Sequence, residues 1–382
     1  MTTRQNQATD KLPPENKELI EIDASRSPLY MAIHDPVLDE FMDYLAERKS
    51  EQERDPDAHV QLELSSKQIA AIRDSFRSSI LAGERELHVF AHLLSSILLE
   101  GDFELHSTVI GVLPSSDDRP FLIRERLTRK TLFSVTDIDL GNHMLDNFRY
   151  QKAGEWVPLS LSANFVEYVP IQPPKSGVNR LTSRVKAEEE LCNKLVDELF
   201  SIDQLVSRDK HLRQYSKFIK DIFGIKIVCE NEDKCVEIHR KLQELTLSWS
   251  DMEKLNSLYG LSFHRAPGER EMDFHLEFIE TKDYLNCEPA KMKKTGWRAI
   301  KSVVRWQDSL FEIQVQPLVN YYLELDHMSG PSHRSFKIQR ERLRDEVARQ
   351  IPLYRFYRDL LKMLFMEAHV CFEYENASVL IS

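Results

Sequence analysis

The chain has 382 residues, of which 42% are hydrophobic and 30% charged. That mix supports packed cores and excludes global disorder; at roughly 100–200 residues per domain it predicts two or three domains. A net charge of −11 argues against a general nucleic-acid binder, although Pro331 to Phe365 carries nine Lys/Arg against four Asp/Glu. Such asymmetry marks either a solvated helix face or a local phosphate-binding surface.

No stretch approaches the ~18 apolar residues that span a bilayer, and the polar N-terminus lacks the apolar core of a signal peptide. A cytoplasmic protein without membrane contact is expected. Five cysteines stand at 192, 229, 235, 287 and 371 with no C-x-x-C pair, which predicts free thiols rather than disulfides or a zinc site.

Residues 1–27 are polar, contain Pro13-Pro14, and read as a flexible tail. Residues 28–170 read as a small α+β domain of unassigned role. Asp35-Pro36 resembles a helix start, followed by Leu38, Phe41, Met42 and Leu45 at helical spacing. The charged stretch Glu47 to His59 predicts a surface loop. Ser65 or Ser66 is placed to cap a second helix, and the apolar run Leu87 to Leu99 predicts a third. His88 and His92 stand at i, i+4 there, but H-V-F-A-H lacks the glutamate of a metalloprotease helix, so both read as packing residues. Thr108–Leu113, Phe121–Ile123 and Leu159–Val169 are rich in β-formers. Pro170, Pro173 and Pro174 followed by Lys175-Ser176-Gly177 predict a linker over 171–182.

Residues 183–330 read as a second domain. A helix is predicted over Arg184–Phe200, a strand over Ile225–Cys229, a helix over Cys235–Leu247, and strands over Ile300–Trp306 and Leu310–Val315 joined by Gln307-Asp308-Ser309. Residues 331–382 read as a basic helical extension with a final strand. Its apolar stripe is Leu343, Val347, Ile351, Tyr354, Tyr357, Leu361 and Leu364, kinked or divided at Pro352.

Four groups in this second half carry candidate chemistry. In Phe311-Glu312-Ile313-Gln314-Val315, alternation buries Phe311, Ile313 and Val315 and points Glu312 and Gln314 together on the other face. A carboxylate so placed suits Mg²⁺, which takes hard oxygen ligands; the bland alternative is a half-exposed strand. In Asp221-Ile222-Phe223-Gly224-Ile225-Lys226, Asp221 stands at a strand mouth as a second metal ligand or a cap, and Lys226 lies on the face opposite Ile225 and Ile227. Arg184, Lys186 and Lys194 form a cationic group; on one helix Lys186 and Lys194 would lie about 80° apart. In Gly296-Trp297-Arg298-Ala299-Ile300-Lys301, Trp297 offers a face for stacking or for core packing, with Arg298 and Lys301 adding positive charge.

In order, these groups resemble the motifs of RelA/SpoT-type (p)ppGpp synthetase domains: R-x-K-x-x-x-S-x-x-x-K, D-x-x-G-I-R, D-Y-I, P-K, G-Y-x-S-x-H and E-I-Q-I-R. The matching residues are Arg184-Val185-Lys186 through Lys194, Asp221 through Lys226, Asp283-Tyr284-Leu285, Pro289, Gly296-Trp297 and Glu312-Ile313-Gln314-Val315. Glu324-Leu325-Asp326-His327 resembles the E-x-x-H that follows. The resemblance runs from Ser183 to His327. It implies an α+β, nucleotidyltransferase-like mixed sheet flanked by helices, here preceded by a small α+β domain.

The activity implied is attack of an acceptor 3′-hydroxyl on the ATP β-phosphate, with AMP leaving. By the resemblance Arg184, Lys186, Lys194 and Lys226 hold the donor, Asp221 and Glu312 hold Mg²⁺, Gln314 orients the acceptor, and Trp297, Arg298 and Lys301 bind it. Partners expected are ATP and GDP or GTP, with the tRNA 3′ end as alternative acceptor through Lys291, Lys293, Lys294 and the basic tail; self-association is left open. The family serine is Glu190 here, the strand arginine Lys226, the G-Y-x-S-x-H histidine Lys301, and the E-I-Q-I-R arginine Gln316. These departures suit a divergent enzyme or an inactive nucleotide- or partner-binding module. His34-Asp35 is the dipeptide of a helical hydrolase found in some relatives, but Pro36 and the β-rich sequence that follows argue against that domain.

Overall fold

A computed structural model describes residues 33, 35–55, 58–113, 120–152, 154–157, 159–186, 188–200, 219–248, 274–288, 296–307, 309–328, 344–349, 351–366 and 374–382, with isolated helical positions at 250, 253, 257 and 342. His34, Pro289, Lys291, Lys293, Lys294, Asp308, the 331–341 part of the basic tail and Cys371 lie outside these residues.

The first helix, α1 (Pro36–Arg54), starts where the sequence places it: Asp35 caps it by accepting from the amides of Val37 and Leu38, and Leu38, Phe41, Met42 and Leu45 are buried. It runs through Arg54 instead of ending in a loop at Glu47. The charges expected to break the helix instead pair along it, Arg48 with Glu51 and Lys49 with Glu53, at the spacings that support helices.

β1 (Val60–Leu64) precedes α2 (Ser66–Leu98). Ser65 forms a capping box with Gln68, which satisfies two orphan amide groups at once. The two helices expected from the sequence are one unbroken helix of 33 residues, about 50 Å long at 1.5 Å per residue. His88 and His92 are buried in it. Gly83 is needed at its midpoint, since a Cβ there would sit 2.0 Å from the Phe223 ring. Phe223 is itself buried and packs near Phe311. Gly83→Ala is therefore expected to destabilise the protein by about 1–2 kcal/mol, overpacking outweighing the ~1 kcal/mol that Ala gains in a helix. Thermal melts measure this; a Gly83→Ala protein as stable as its parent would mean that the ring yields freely.

The following strands are β2 (Phe103–Val112), β3 (Pro120–Leu127), the short pair β4 (Tyr150–Lys152) and β5 (Glu155–Val157), and β6 (Ser160–Pro170), with α3 (Arg129–Leu132) and α4 (Asp137–Asp146) before β4. β7 (Val178–Val185) begins inside the segment that reads as linker, and α5 (Glu188–Leu199) follows. Arg184 is thus a strand residue and Lys186 lies between strand and helix, so the predicted helix over Arg184–Phe200 starts four residues late. The alternation Leu181, Ser183 and Val185, all buried, fits a pleated strand as well as it fits a helix turn.

The chain continues with β8 (Phe223–Cys229), α6 (Glu232–Gln243), β9 (Thr246–Leu247), β10 (Phe274–His275), β11 (Glu277–Asp283), β12 (Ile300–Trp306), β13 (Ser309–Pro317), α7 (Leu318–Met328), α8 (Pro352–Phe365) and β14 (Ala377–Ile381). Pro352 divides the C-terminal stripe by starting α8, whose Tyr354, Tyr357, Leu361 and Leu364 are fully buried. β14 pairs in parallel with β1.

Eight strands form one mixed sheet in the order β11-β12-β13-β8-β7-β6-β2-β3, flanked by helices. β13 and β8 run parallel and every other neighbouring pair antiparallel. Strands from before and after residues 171–182 are hydrogen-bonded side by side through β6 and β7. α2, α4 and α6 cover the apolar face of the sheet, where Phe90 stacks on Trp306 and meets Phe311. Among the described residues no helix is long and apolar enough to cross a membrane.

Candidate active site

The face of the sheet away from α2 carries the polar residues, and strand register decides which of them meet. One row across the strands is Glu167–Thr182–Lys226–Gln314–Lys301. The next is Arg184–Gly224–Glu312. Neighbouring strands lie ~4.8 Å apart, so residues scattered from 167 to 314 become near neighbours. All of them but Glu167 and Lys301 floor a cavity of about 330 Å³ lined by Arg184, Lys186, Asp221, Lys226, Glu312 and Gln314, with Phe165, Thr182, Ile222, Gly224, Ile225, Tyr321 and Glu324.

Alternation on β13 is as the sequence predicts: Phe311, Ile313 and Val315 are buried in the core while Glu312 and Gln314 line the cavity. Gln314 donates to Glu312 Oε1, and Lys301 forms an ion pair with Glu312 Oε2. Burial works against a charged Lys301, but Glu312 beside it outweighs burial and raises its pKa. Lys226 alternates away from the buried Ile225 and Ile227 as expected.

Asp221 precedes β8 at the cavity wall. Lys186 Nζ donates to its Oδ2 at 2.8 Å and Lys194 pairs with its Oδ1. Burial would raise the Asp221 pKa, yet Lys194 and Lys186 hold the carboxyl far below the usual range. Two ammonium groups share that one carboxylate. Burial, together with repulsion from Lys194, pulls Lys186 down to about 8 against the attraction of Asp221. The lysines meet through Asp221 rather than along one helix face. Glu190 does not touch them by hydrogen bond; its Oε2 lies 3.7 Å from Arg184 Nη2, and both side chains are about two-fifths exposed (39% and 43%).

Glu324, on α7, is the hub of the opposite wall. Lys226 Nζ donates to Oε2 at 2.6 Å, Gln316 Nε2 to Oε2 at 2.8 Å, and Trp297 Nε1 to Oε1 at 2.7 Å. Trp297 is half-buried behind that contact, edge-on to Tyr284 at 5.5 Å between ring centroids, and follows Gly296 at φ 73°, a conformation that favours glycine. Arg298 turns away from the cavity, donating to Leu285 O at 2.6 Å and pairing with Glu232 at 2.7 Å. Lys194, Trp297, Arg298 and Lys301 do not line the cavity; the other predicted site residues do.

Phe165, Thr182 and Tyr321 were not legible as site residues. Tyr321 OH donates to Glu167 Oε1 at 2.7 Å, and Glu167 also pairs with Arg124 at 2.6 Å and Arg180 at 2.9 Å and accepts from Thr108 at 3.1 Å. The only sequence signal was the alternation of β6, which places Phe165 and Glu167 on one face.

Chemically, the cavity offers three carboxylates, Asp221, Glu312 and Glu324, and the cationic groups of Arg184, Lys186 and Lys226 that compensate them. That set suits Mg²⁺ held with a polyphosphate, whose oxygens complete the metal's shell. No family model matches the chain and no curated protein does. Among solved structures, the chain is similar to small alarmone synthetase 1 from Bacillus subtilis, at 18% identity over 50% of this chain and 77% of that one, with a TM-score of 0.23. The same B. subtilis enzyme bound to its product pppGpp matches at 19% identity over 45% and 77%, TM-score 0.22. A GTP pyrophosphokinase family protein from Streptococcus pneumoniae matches at 16% identity over 50% and 75%, TM-score 0.23. Superpositions at this level carry no weight for function, which rests on the residues themselves.

Proposed function

We propose that the chain transfers pyrophosphate from ATP to the 3′-hydroxyl of a guanine nucleotide. The observation that supports this most is the register that sets Arg184, Lys226, Glu312 and Gln314 over one cavity together with Lys186 and Asp221. In this reading Arg184, Lys186 and Lys226 bind the ATP phosphates, with Lys194 behind them holding Asp221. Asp221 and Glu312 hold Mg²⁺, which supplies charge neutralisation on the transferred group when bound. Gln314 orients the acceptor, Trp297 and Lys301 border its site, and Arg298 braces the segment that carries Trp297. Catalysis of this kind is mostly positioning and electrostatic stabilisation. Nucleotide analysis after incubation with ATP, Mg²⁺ and GDP, GTP or tRNA tests it. AMP release that needs a guanine nucleotide supports the proposal; release only with tRNA transfers the same chemistry to that acceptor.

One observation favours a second reading, a nucleotide-binding module without activity: Lys186, Lys194 and Lys301 already neutralise Asp221 and Glu312. Tight Mg²⁺-ATP binding with no AMP release under any acceptor selects that reading.

Lys186 also gives the site a pH signature. Its ammonium loses its proton through about 8, so ATP affinity is expected to fall as pH rises from 7 to 9, approaching tenfold per unit above the pKa. Lys186→Met should bind more weakly and flatten the profile. Calorimetric titrations at pH 7, 8 and 9 measure this, and a flat parent profile removes Lys186 from the phosphate site.

A further inference from the structure

Away from the cavity, on the apolar side of the sheet, α2 and the first turn of α4 bring Glu84, His88 and Asp137 together. All three are buried, at 6%, 1% and 3% exposure, and one ligand atom from each lies within 4.8 Å of the others. His88 Nε2 is 3.1 Å from Asp137 Oδ1 and 3.6 Å from Glu84 Oε1. We propose that these residues form a metal site for a first-row divalent cation of the Zn²⁺ class, joining α2 to α4.

Geometry carries the proposal. Bonds of ~2.0–2.2 Å in a tetrahedral shell put ligand atoms ~3.3 Å apart, close to the separations of His88 from both carboxylates. The 3.1 Å approach is an ion-pair contact, and among the described residues His88 Nε2 and both Asp137 oxygens have no partner that meets full hydrogen-bond geometry. Ligand atoms that flank a shared ion sit side by side in this way rather than donor to acceptor. Buried carboxylate oxygens that accept no hydrogen bond are costly; Asp137 Oδ1 is met only by the His88 Nε2 contact, and Oδ2 accepts none among the described residues.

The surroundings fit a coordinating imidazole. Ser183 Oγ lies 3.5 Å from His88 Nδ1, on the ring nitrogen that a metal-bound histidine commonly turns to a second-shell acceptor. Glu84 Oε1 also accepts from the Asp137 amide at 2.6 Å, and Asn164 Nδ2 donates to the Asp137 carbonyl, so both carboxylates sit on a fixed frame. Charge favours the ion as well. Two carboxylates with a protonated histidine leave one negative charge buried, whereas a divalent cation on a neutral imidazole leaves none. An imidazole in the shell selects Zn²⁺-class ions over Mg²⁺, so this site is distinct from the cavity carboxylates.

The test strips the full chain with a chelator, reloads it with Zn²⁺, removes free metal by gel filtration and measures bound zinc by mass spectrometry. One equivalent is expected in the parent and in Asp221→Asn/Glu312→Gln, and none in Asp137→Asn. Loading should also raise the melting temperature of the parent. A parent that retains no zinc overturns the proposal, as does a folded Asp137→Asn that retains it or a cavity double variant that loses it. If Asp137→Asn does not fold, the X-ray absorption spectrum of the zinc-loaded double variant decides: one imidazole with carboxylate oxygens supports the site, and any other first shell overturns it.

Discussion

Glu312→Gln is expected to reduce acceptor-dependent AMP release by at least about 10²–10³-fold, roughly 2.7–4 kcal/mol, the scale for removing a group that stabilises charge in a transition state. The substitution keeps size and leaves one oxygen able to accept from Gln314. It removes the charge that pairs with Lys301 and that would hold Mg²⁺. Lys301 is about a third exposed (31%), so its ammonium can turn to water and the fold should survive. Single-turnover AMP release measures the effect, with thermal melts as control. A well-folded Glu312→Gln protein that retains full AMP release removes Glu312 from the chemistry and leaves Asp221 without a partner in metal binding.

Glu167→Ala should cost about 3–5 kcal/mol of stability, because breaking one side of a buried charge pair leaves the other uncompensated. Glu167 is 2% exposed and accepts from Arg124, Arg180, Tyr321 and Thr108. Burial would raise its pKa, but the Tyr321 hydrogen bond and the two arginines outweigh this and lower it. Arg180 also stacks over the Tyr321 ring at 5.2 Å, so the same change frees a cavity-lining tyrosine. At roughly 2–4 °C per kcal/mol for a sizeable domain, the loss would be plain in a melting curve. Glu167→Gln, which retains acceptor oxygen for Tyr321 or Thr108, should fall between parent and Glu167→Ala. Melts that place Glu167→Ala within 1–2 °C of the parent would show that the arginines find other partners.

Residues 28–170 had no readable role in the sequence. The structure gives their strands one: β6 continues the sheet beside β7, so Phe165 lines the cavity and Glu167 fixes Tyr321. The motif residues of the second half were legible because each sits in a short local pattern, such as the alternation around Glu312 or the glycine beside Trp297. Arg298 shows the limit of such patterns. It lies in the same run as Trp297 and Lys301, yet it bonds to Leu285 and Glu232 outside the cavity.

What the sequence determined by itself is what periods of 2 and 3.6 residues, caps and prolines encode. Asp35 and Ser65 start helices, Pro352 starts another, and β8 and β13 bury one face and present Lys226, Glu312 and Gln314 on the other. Only the tertiary structure decided that Ser66 to Leu98 is one helix, that Arg184 belongs to a strand, and that Lys186 and Lys194 meet through Asp221. It also decided that Glu84, His88 and Asp137 share one buried point. The helix outcomes depend on packing against the sheet, and the cavity depends on which strands pair and in what register. Backbone hydrogen bonds between distant segments, such as those that pair Glu312 with Gly224, set that register, and no local window of sequence contains both partners.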